Sequence, residues 1–392
     1  MAKANVTRYQ PIAMIERFIA FDTTSRNSNL PLIHFVQDYL SQFGIKSDVI
    51  TDKSGQKANL LARIGPADKP GIVLSGHTDT VPVEDQNWST DPFKLIKNGG
   101  RLYGRGTSDM KSFLAICTAL APEFAEAKLS APVYLAMSYD EELGCLGVPS
   151  MIAKLAELPV KPAACIVGEP SEMQVLMAHK GVNVFETTIT GREAHSSQTD
   201  QGASAIAAAA ELISFLNRLA DEMRERGDPT KVFERDGYTS INVGLIQGGT
   251  ALNIIPRTCK FVWEYRHLPG TDGKEIITRF RQFSETEILP KLKAKADDAA
   301  IETTTVIHYE GLRPEPGSFA EALALKCSGM ARPTTAAFGT EAGLFQDVGI
   351  PTVVCGPGSI AQAHRPDEFI EKTQVEQCTQ FLRRLIQELA PA

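Results

Sequence analysis

The chain has 392 residues, enough for two domains, and its 43% hydrophobic and 22% charged residues are typical of a globular protein. Its formal net charge of -7 does not supply the basic face that nucleic acid requires, so we expect no nucleic-acid partner. The first residues lack the apolar core of a signal peptide, and no run approaches the ~18 apolar residues of a membrane span. We therefore expect a cytoplasmic protein with no membrane partner.

In the first part of the chain, predicted helices alternate with predicted buried strands. Helical patterns cover 11–20 and 31–43, and Gly44 ends the second of them. Short apolar runs typical of strands buried on both faces then follow, at 71–76, 131–138, 163–168 and 350–356. This alternation predicts an α/β domain built on a central mixed, largely parallel sheet.

The middle of the chain has a different pattern. A strand at 182–191 alternates apolar and polar residues, and a helix near 203–223 follows it. Two strands, a helix over about 273–289 that Pro290 is expected to interrupt, and a closing strand at 301–311 complete the series. The order βαββαβ predicts a ferredoxin-like unit over 182–311, inserted into an α/β domain that comprises 1–181 and 312–392.

The seven cysteines are odd in number and scattered, and no CxxC pair occurs. This pattern argues against a disulfide framework and against a cysteine zinc site. We expect most of them to be small buried hydrophobic residues. A thiol nucleophile at Cys355 is the alternative, but no motif pairs it with a histidine base.

Acidic and histidine-containing motifs follow the predicted buried strands. GHTDTVP places His77 at the end of a strand and Asp79 two residues later, so the two side chains face the same way. Asp79 can then accept a hydrogen bond from one ring nitrogen of His77 while the other nitrogen binds a metal. An exposed histidine and acid without a ligand is the alternative interpretation.

SYDEELG places three adjacent carboxylates, Asp140, Glu141 and Glu142, after another strand. Such groups repel one another and resist burial unless a cation is near. Neighbouring side chains of an extended segment point to opposite faces, so Glu141 and Glu142 should differ in role. We expect one to bind metal and the other to act as a base on the attacking water; a solvated acidic turn is the alternative.

Three further motifs add single candidate ligands: Asp109 precedes a helix in GRGTSDMKS, Glu169 ends a strand in GEPSE, and His364 follows a glycine loop in QAHRPDEF. Alone, each has an ordinary explanation as a helix cap, a surface acid or an exposed histidine. Because open α/β sheets build their sites at the carboxyl ends of strands, the motifs together predict a shared site. Two imidazoles and at least three carboxylates suit two Zn²⁺, Mn²⁺ or Co²⁺ ions ~3.5–4 Å apart.

These residues, in this order, resemble the two-zinc amidohydrolase family of acetylornithine deacetylase, succinyl-diaminopimelate desuccinylase, aminoacylase and the glutamate carboxypeptidases. The resemblance covers nearly the whole chain. It implies a zinc-peptidase-like, metal-binding catalytic domain and an inserted lid and dimerisation domain. It also implies that His77 and Glu169 hold one metal, that Glu142 and His364 hold the other, and that Asp109 bridges them. Two divalent ions are expected, with zinc favoured and cobalt as a substitute.

The resemblance assigns further roles in catalysis. It implies that Glu141 is the general base and that Asp79 orients His77. It also implies that His195, in GREAHSS, polarises the scissile carbonyl, often from the partner subunit of a homodimer. From the residues alone, His195 would be an ordinary loop histidine.

Substrate contacts are expected at five positions. The resemblance implies four of them: Asn253 in GTALNIIP, Arg266 in WEYRHLPG, and Gly356 and Gly358 in CGPGS. Arg266 is a candidate clamp for the substrate carboxylate, with a surface ion pair as its alternative role, and the glycines have turns as theirs. Charge alone suggests that Glu341, in FGTEAG, pairs with a substrate ammonium; a solvated loop acid is the alternative.

Within the family, RGTSDMKSFLA, YDEELGCLG and CGPGSIAQAHRPDEF are most similar to the acetylornithine deacetylase branch. This likeness implies a small N-acyl amino acid substrate, N2-acetylornithine, cleaved to ornithine and acetate in arginine biosynthesis. A desuccinylase, a broader aminoacylase or a dipeptidase is the alternative within the family. A nucleotide-binding α/β protein is disfavoured because no GxGxxG follows a strand and no GxxxxGK[ST] occurs. A non-catalytic metal-binding protein is disfavoured by the intact Glu141.

Overall fold

The computed structural model describes residues 7–391, which divide into two compact units. Unit 1 contains the described chain through Ala178, the segment Leu312–Thr334 and the chain from Thr340 onward. Unit 2 contains His179–Gly311 and the short segment Thr335–Gly339. This last segment was not part of the predicted insert. Within residues 7–391, every helix is too short or too polar to span a lipid bilayer.

The elements are numbered in chain order. The helices are α1 (Pro11–Ile19), α2 (Leu30–Ser41), α3 (Lys111–Glu126), α4 (Val148–Ala156), α5 (Ala205–Arg226), α6 (Glu275–Phe283), α7 (Leu289–Lys293), α8 (Phe319–Ser328), α9 (Ala342–Asp347) and α10 (Lys372–Leu389). The strands are β1 (Lys46–Thr51), β2 (Ala58–Ile64), β3 (Ile72–His77), β4 (Ile96–Asn98), β5 (Arg101–Tyr103), β6 (Val133–Ser138), β7 (Ala164–Pro170), β8 (Leu176–His179), β9 (Gly181–Thr190), β10 (Ser240–Gly248), β11 (Thr258–His267), β12 (Ala300–Tyr309), β13 (Thr334–Ala336), β14 (Thr352–Gly356) and β15 (Phe369–Glu371).

An eight-stranded sheet of order β1-β2-β6-β3-β7-β14-β8-β13 organises unit 1. Its central strands β6, β3, β7 and β14 run parallel, whereas β1, β2 and β8 pair antiparallel with their neighbours. All four central strands are buried along their whole length, because helices cover both faces of a parallel sheet. The predicted α/β class with a mixed sheet is confirmed, and the carboxyl ends of the central strands share one edge.

Helix α3 is buried over most of its length because nearly all of its residues from Phe113 to Ala121 are apolar or small. It packs against the central strand β3 and against α1, whose buried face is formed by Met14, Ile15, Phe18 and Ile19. Met110, the N-cap residue of α3, and Asp109 before it are therefore held by a rigid helix beside the end of β3.

Unit 2 has the order βαββαβ, with all strand pairs antiparallel and the strand order β10-β11-β9-β12. The first and third strands of the unit lie in the centre, which is the arrangement of a ferredoxin-like fold. Buried and less buried residues alternate along β9 and β11, so one face of the sheet packs on the helices. Phe185, Trp263 and Phe280 form part of this second hydrophobic core.

The helix predicted to be interrupted by Pro290 instead continues to Lys293. A π-helical turn, Ser284–Ile288, joins α6 to α7, and the N–H of Leu289 donates to the carbonyl of Ser284, five residues back. Pro290 then occupies the first turn of α7, a position in which proline is tolerated. The wider turn is thus what accommodates the proline.

Replacing Phe280 by Ala should destabilise unit 2, because this side chain is fully buried with its ring 4.5 Å from that of Trp263. We expect the free energy of unfolding to fall by about 3–5 kcal/mol. Urea unfolding followed by tryptophan fluorescence measures the change. Phe319→Ala is the matched control, because Phe319 is 51% exposed and its truncation should cost far less. Equal losses for the two variants would contradict this account of the core.

Candidate active site

Three neighbouring parallel strands carry candidate ligands at or just beyond their carboxyl ends. His77 is the last residue of β3, Glu169 is the penultimate residue of β7, and Glu141 and Glu142 follow the end of β6. Because β6, β3 and β7 are adjacent and parallel, their ends meet at one edge of the sheet. The parallel packing of these three strands therefore brings one imidazole and three carboxylates together within unit 1.

Asp109 lies between the two histidines of the site. Its Oδ1 is 3.1 Å from Nε2 of His77, and its Oδ2 is 3.3 Å from Nε2 of His364. It does not serve as the cap of α3, because the cap position is occupied by Met110. One carboxylate facing two imidazoles is the arrangement expected of a bridging ligand.

The remaining contacts close the cluster. Nε2 of His364 is 3.1 Å from Oε2 of Glu142, and Nε2 of His77 is 3.6 Å from Oε1 of Glu169. Two groups of three have all their ligand atoms within 4.8 Å of one another: His77, Glu141 and Glu169, and His77, Asp109 and Glu142. The five side chains predicted as ligands and the predicted base thus meet around one small volume.

Glu169 provides a test of whether a cation fits this volume. The residue is 4% exposed, and its Oε1 is buried with no hydrogen-bond partner among residues 7–391. Leaving a buried carboxylate oxygen unsatisfied is costly, and a metal ion in the cluster would satisfy it. The donor set, imidazole nitrogen and carboxylate oxygen, suits a divalent ion of the zinc, manganese or cobalt type.

The electrostatics of the cluster also favour a cation among these carboxylates. Burial raises the pKa of Glu169 well above its usual range, and burial with the nearby Glu142 and Asp109 raises the pKa of Glu141 to about 8. The pKa of His364 is raised to about 10, because its ring donates hydrogen bonds to the carboxylates of Asp109 and Glu142. Groups that hold protons this strongly at one site would release them when divalent ions bind there.

Asp79 contacts His77 through its backbone as well as through its carboxylate. The shorter contact of His77 Nδ1, 3.0 Å, is to the backbone carbonyl of Asp79, while the carboxylate Oδ1 is 3.4 Å away. The carboxylate also accepts from the backbone N–H of Glu141 (3.1 Å) and of Glu142 (3.3 Å) and from the Ser25 hydroxyl (2.8 Å). Asp79 therefore fixes His77 through its backbone and the acidic turn through its side chain.

The three consecutive acids after β6 have separate environments. Asp140 has a left-handed backbone (φ 54°) and forms an ion pair with Lys57, whose ammonium also donates to the carbonyl of Ser25. Glu141 and Glu142 face the cluster. The lysine thus removes one of the three acids from the candidate metal ligands, which the motif alone did not reveal.

The predicted residues His195, Asn253 and Arg266 lie in unit 2. His195 pairs with Ile254 in an isolated antiparallel bridge, so its turn neighbours the loop of Asn253, and both side chains are exposed. Arg266 donates from Nη2 to Oε2 of Glu264 at 2.8 Å, which is the ion pair named as its alternative role. The substrate contacts expected of these residues stay predictions.

The glycine loop after β14 needs glycine for steric reasons. A Cβ on Gly356 would overlap the carbonyl of Gly168, and one on Gly358 (φ 92°) would lie 2.5 Å from Oγ of Ser108. These contacts account for both glycines as packing and turn positions. Cys355, just before them, is buried, and burial raises the pKa of its thiol, so packing rather than nucleophilic chemistry is the role that its surroundings support.

The interpretation of Glu341 requires correction. The residue has no exposed surface, and its carboxylate accepts hydrogen bonds from the hydroxyls of Ser75 (2.5 Å) and Ser138 (2.8 Å). A carboxylate that is buried and occupied in this way is neither a solvated loop acid nor accessible to a substrate ammonium. Charge and loop context misled here because the two serines that engage it lie far away in the sequence, on β3 and β6.

Sequence reasoning missed two buried charges that lie within the ligand motifs themselves. Arg105, in GRGTSD, and Glu368, in HRPDEF, form an ion pair with Nη1 2.8 Å from Oε2. Both side chains are 1% exposed. The available signal was the charge of each residue close to a candidate ligand, but only three-dimensional proximity pairs them.

The chain matches an established protein family over most of its length. Residues 73–388 match the model of Peptidase family M20/M25/M40. The acetylornithine deacetylase of Myxococcus xanthus is 34% identical over 380 residues, which cover 95% of this chain and 96% of the relative. That of Proteus mirabilis is 32% identical over 388 residues, with 97% and 95% covered. These matches confirm the resemblance drawn from the motifs.

Solved structures show the same fold at low sequence identity. An M20 family metallo-carboxypeptidase from Sulfolobus solfataricus has a TM-score of 0.76 at 18% identity, over 98% of this chain and 99% of that one. A dipeptidase from Saccharomyces cerevisiae has a TM-score of 0.75 at 16% identity, over 98% and 96%. Together with the family match and the relatives above 30% identity, they lead to one conclusion: the chain is a member of peptidase family M20/M25/M40, a family of metal-dependent hydrolases.

Proposed function

We propose that this protein hydrolyses the acetyl amide of N2-acetylornithine, releasing ornithine and acetate, a step of arginine biosynthesis. The observation that carries the hydrolytic part is the cluster of imidazoles and carboxylates around an unsatisfied oxygen of Glu169. The substrate is supported by curated relatives at 30–34% identity, named acetylornithine deacetylase, that cover more than nine-tenths of the chain.

We assign two divalent metal ions to the cluster, with zinc as the native ion and cobalt as a substitute. His77 and Glu169 would hold one ion, Glu142 and His364 the other, and Asp109 both. When bound, the ions would polarise the scissile carbonyl and lower the pKa of the attacking water.

Glu141 is the proposed general base. Its carboxylate lies within the cluster, near His77 and Glu169, and its backbone N–H donates to the carboxylate of Asp79 at 3.1 Å. In the ligand assignment above it is left free to act on the attacking water. It would take a proton from the attacking water and deliver that proton to the amine nitrogen as the C–N bond breaks.

The substrate contacts are proposed on the resemblance. Arg266 would bind the substrate carboxylate through its paired N–H groups, and Asn253 would orient the amide. Gly356 and Gly358 would line the substrate loop, and His195 would donate to the carbonyl oxygen as negative charge develops on it. Glu341 is not retained in this set.

We further propose that unit 2 is a lid and dimerisation domain and that the protein is a homodimer. β10 is an edge strand of the unit 2 sheet, and it exposes two large apolar residues, Leu245 (69%) and Ile246 (57%). An exposed edge with apolar side chains is the kind of surface that a second copy covers. The His195 of one subunit would then act at the metal centre of its partner.

The substrate is tested by comparing turnover of acetylornithine, succinyl-diaminopimelate and acetylmethionine. We expect kcat/KM to be highest for acetylornithine by at least about tenfold, which corresponds to ~1.4 kcal/mol of transition-state stabilisation. Dialysis against EDTA should abolish turnover, and Zn²⁺ or Co²⁺ should restore it. Turnover that is insensitive to EDTA would refute the metal centre. A higher kcat/KM for succinyl-diaminopimelate or acetylmethionine would contradict the proposed substrate and favour another activity of the same family.

The base is tested by Glu141→Gln, which removes the negative charge and leaves the size of the side chain unchanged. We expect kcat to fall by on the order of 10²–10⁴-fold, with both metal ions retained by elemental analysis, because Glu141 moves a proton and is not needed as a ligand. Glu157→Gln, at an exposed acid after α4, is the control and should match the wild type. Near-normal turnover of Glu141→Gln would contradict the role.

Action of His195 across subunits is tested by mixing two inactive variants, His195→Ala and Glu141→Gln, after unfolding and refolding together. If His195 serves the partner's site, each mixed dimer carries one intact site. Random pairing should then recover roughly a quarter of wild-type activity. If His195 serves its own site, no mixed dimer has an intact site and the mixture stays inactive; a monomer in sedimentation would also contradict the proposal.

A further inference from the structure

Glu368 is a buried carboxylate that none of the proposed catalytic steps uses. It follows His364 by four residues and directly precedes β15, and it is 1% exposed. Its oxygens accept four short hydrogen bonds: Oε1 from the backbone N–H of Ser108 (2.7 Å) and Asp109 (3.1 Å), and Oε2 from the backbone N–H of Gly106 (3.0 Å) and from Nη1 of Arg105 (2.8 Å). The carboxylate is therefore saturated with donors from one loop.

That loop ends in the candidate bridging ligand. The backbone N–H of Asp109 is held by Glu368, while the side chain of Asp109 reaches His77 at 3.1 Å and His364 at 3.3 Å. Several N–H groups of one loop converging on a single carboxylate form the kind of pocket that binds anions, and here the protein's own side chain fills it. The position of Asp109 thus depends on a residue of the segment that also carries His364.

A second set of contacts, made by Arg105 and Gln86, holds the segment that carries His364. Arg105 donates from Nη2 to Oε1 of Gln86 at 2.5 Å, and Nε2 of Gln86 donates to the carbonyl of His364 at 2.9 Å. Nη1 of Arg105 also donates to the carbonyl of Arg365 at 3.3 Å. These bonds fix the backbone around His364, whose left-handed conformation (φ 63°) is uncommon for a residue with a side chain.

We infer that Glu368 is a positioning residue of the metal centre. It joins the loop of Asp109 to the segment of His364, so that both side chains are spaced to hold the same ion before that ion arrives. The inference rests on the proposed function, because it requires metal at the cluster. Glu368 bonds to the backbone N–H of Asp109 and not to its carboxylate, so it acts through the residues that it holds.

The test measures the affinity of the metal-free full-length protein for Co²⁺. Binding is monitored by visible absorption while a chelator competes for the ion. Glu368→Gln keeps the shape of the side chain but presents an amide N–H₂ to two of its four donors. We expect the affinity for the more weakly bound Co²⁺ to fall by about 10–100-fold, with a changed absorption spectrum, as for other residues that orient metal ligands. Glu371→Gln, on β15 and paired with Arg101 at the surface, is the matched control and should bind as the wild type does.

Thermal unfolding separates positioning from general stabilisation. If Glu368 only stabilised the fold, Glu368→Gln would lower Tm equally with and without Co²⁺. If it positions ligands, the rise in Tm on adding Co²⁺ shrinks, because ligand-induced stabilisation follows the affinity of the folded protein for the ion. An unchanged rise in Tm together with wild-type affinity would overturn the inference.

Gln86→Ala serves as a second variant, because Gln86 is partly exposed and its loss should leave the protein folded. It removes the bond to the His364 carbonyl and should weaken Co²⁺ binding several-fold. If Glu368→Gln does not fold, wild-type affinity in Gln86→Ala overturns the inference. A wild-type protein that binds no Co²⁺ would overturn the proposed function itself, whereas a wild type that binds two ions beside variants that do the same would overturn only the role of Glu368.

Discussion

The structure of unit 1 depends on confining several carboxylates at one edge of a buried sheet. Two like charges ~4 Å apart repel by about 4 kcal/mol at an effective dielectric constant of ~20, and burial adds to this cost. Asp109, Glu141, Glu142 and Glu169 nevertheless meet there, because three adjacent parallel strands and one helix start deliver them to the same edge. A fold that imposes such an arrangement needs compensating cations, and the two histidines together with the proposed divalent metals would meet that need.

Three charged side chains around the cluster hold the segments that carry its carboxylates in place. Asp79 holds the backbone of the acidic turn, Lys57 neutralises the one acid that turns away, and Glu368 holds the loop of Asp109. Each of these charged side chains is largely buried and is bonded to backbone N–H groups or to an opposite charge. The cluster is thus surrounded by a shell of fixed dipoles and ion pairs that limits its reorganisation.

The sequence predicted those parts of the fold that follow from local pattern. Buried apolar runs identified the central strands, and the βαββαβ order identified unit 2, because periodicity records which faces are covered. The convergence of His77, Glu141 and Glu169 followed from the rule that parallel strand ends share an edge. The likeness to a family extended the assignment to residues such as His195 that local pattern leaves ambiguous.

What the sequence could not predict depends on partners distant along the chain. Glu341 resembles a loop acid until Ser75 and Ser138 are seen to enclose it, and Asp140 is separated from its neighbours only by Lys57. The helix that passes through Pro290 required a π-turn, whose five-residue hydrogen bond leaves no signature in the order of residues. In each case a specific non-local or unusual contact outweighed the general preference of the residue type.

The insertion of unit 2 between Ala178 and Leu312 also has a consequence for biosynthesis. A nascent polypeptide emerges with the acids and His77 first, and the whole insert follows before the ribosome reaches His364 and Glu368. Until then the acidic edge of the sheet lacks the imidazole of His364, and the loop of Asp109 lacks its hydrogen bonds to Glu368. Completion of the centre is therefore postponed until the insert has been translated, and its contacts join residues on either side of that insert, the type of long-range closure that forms slowly.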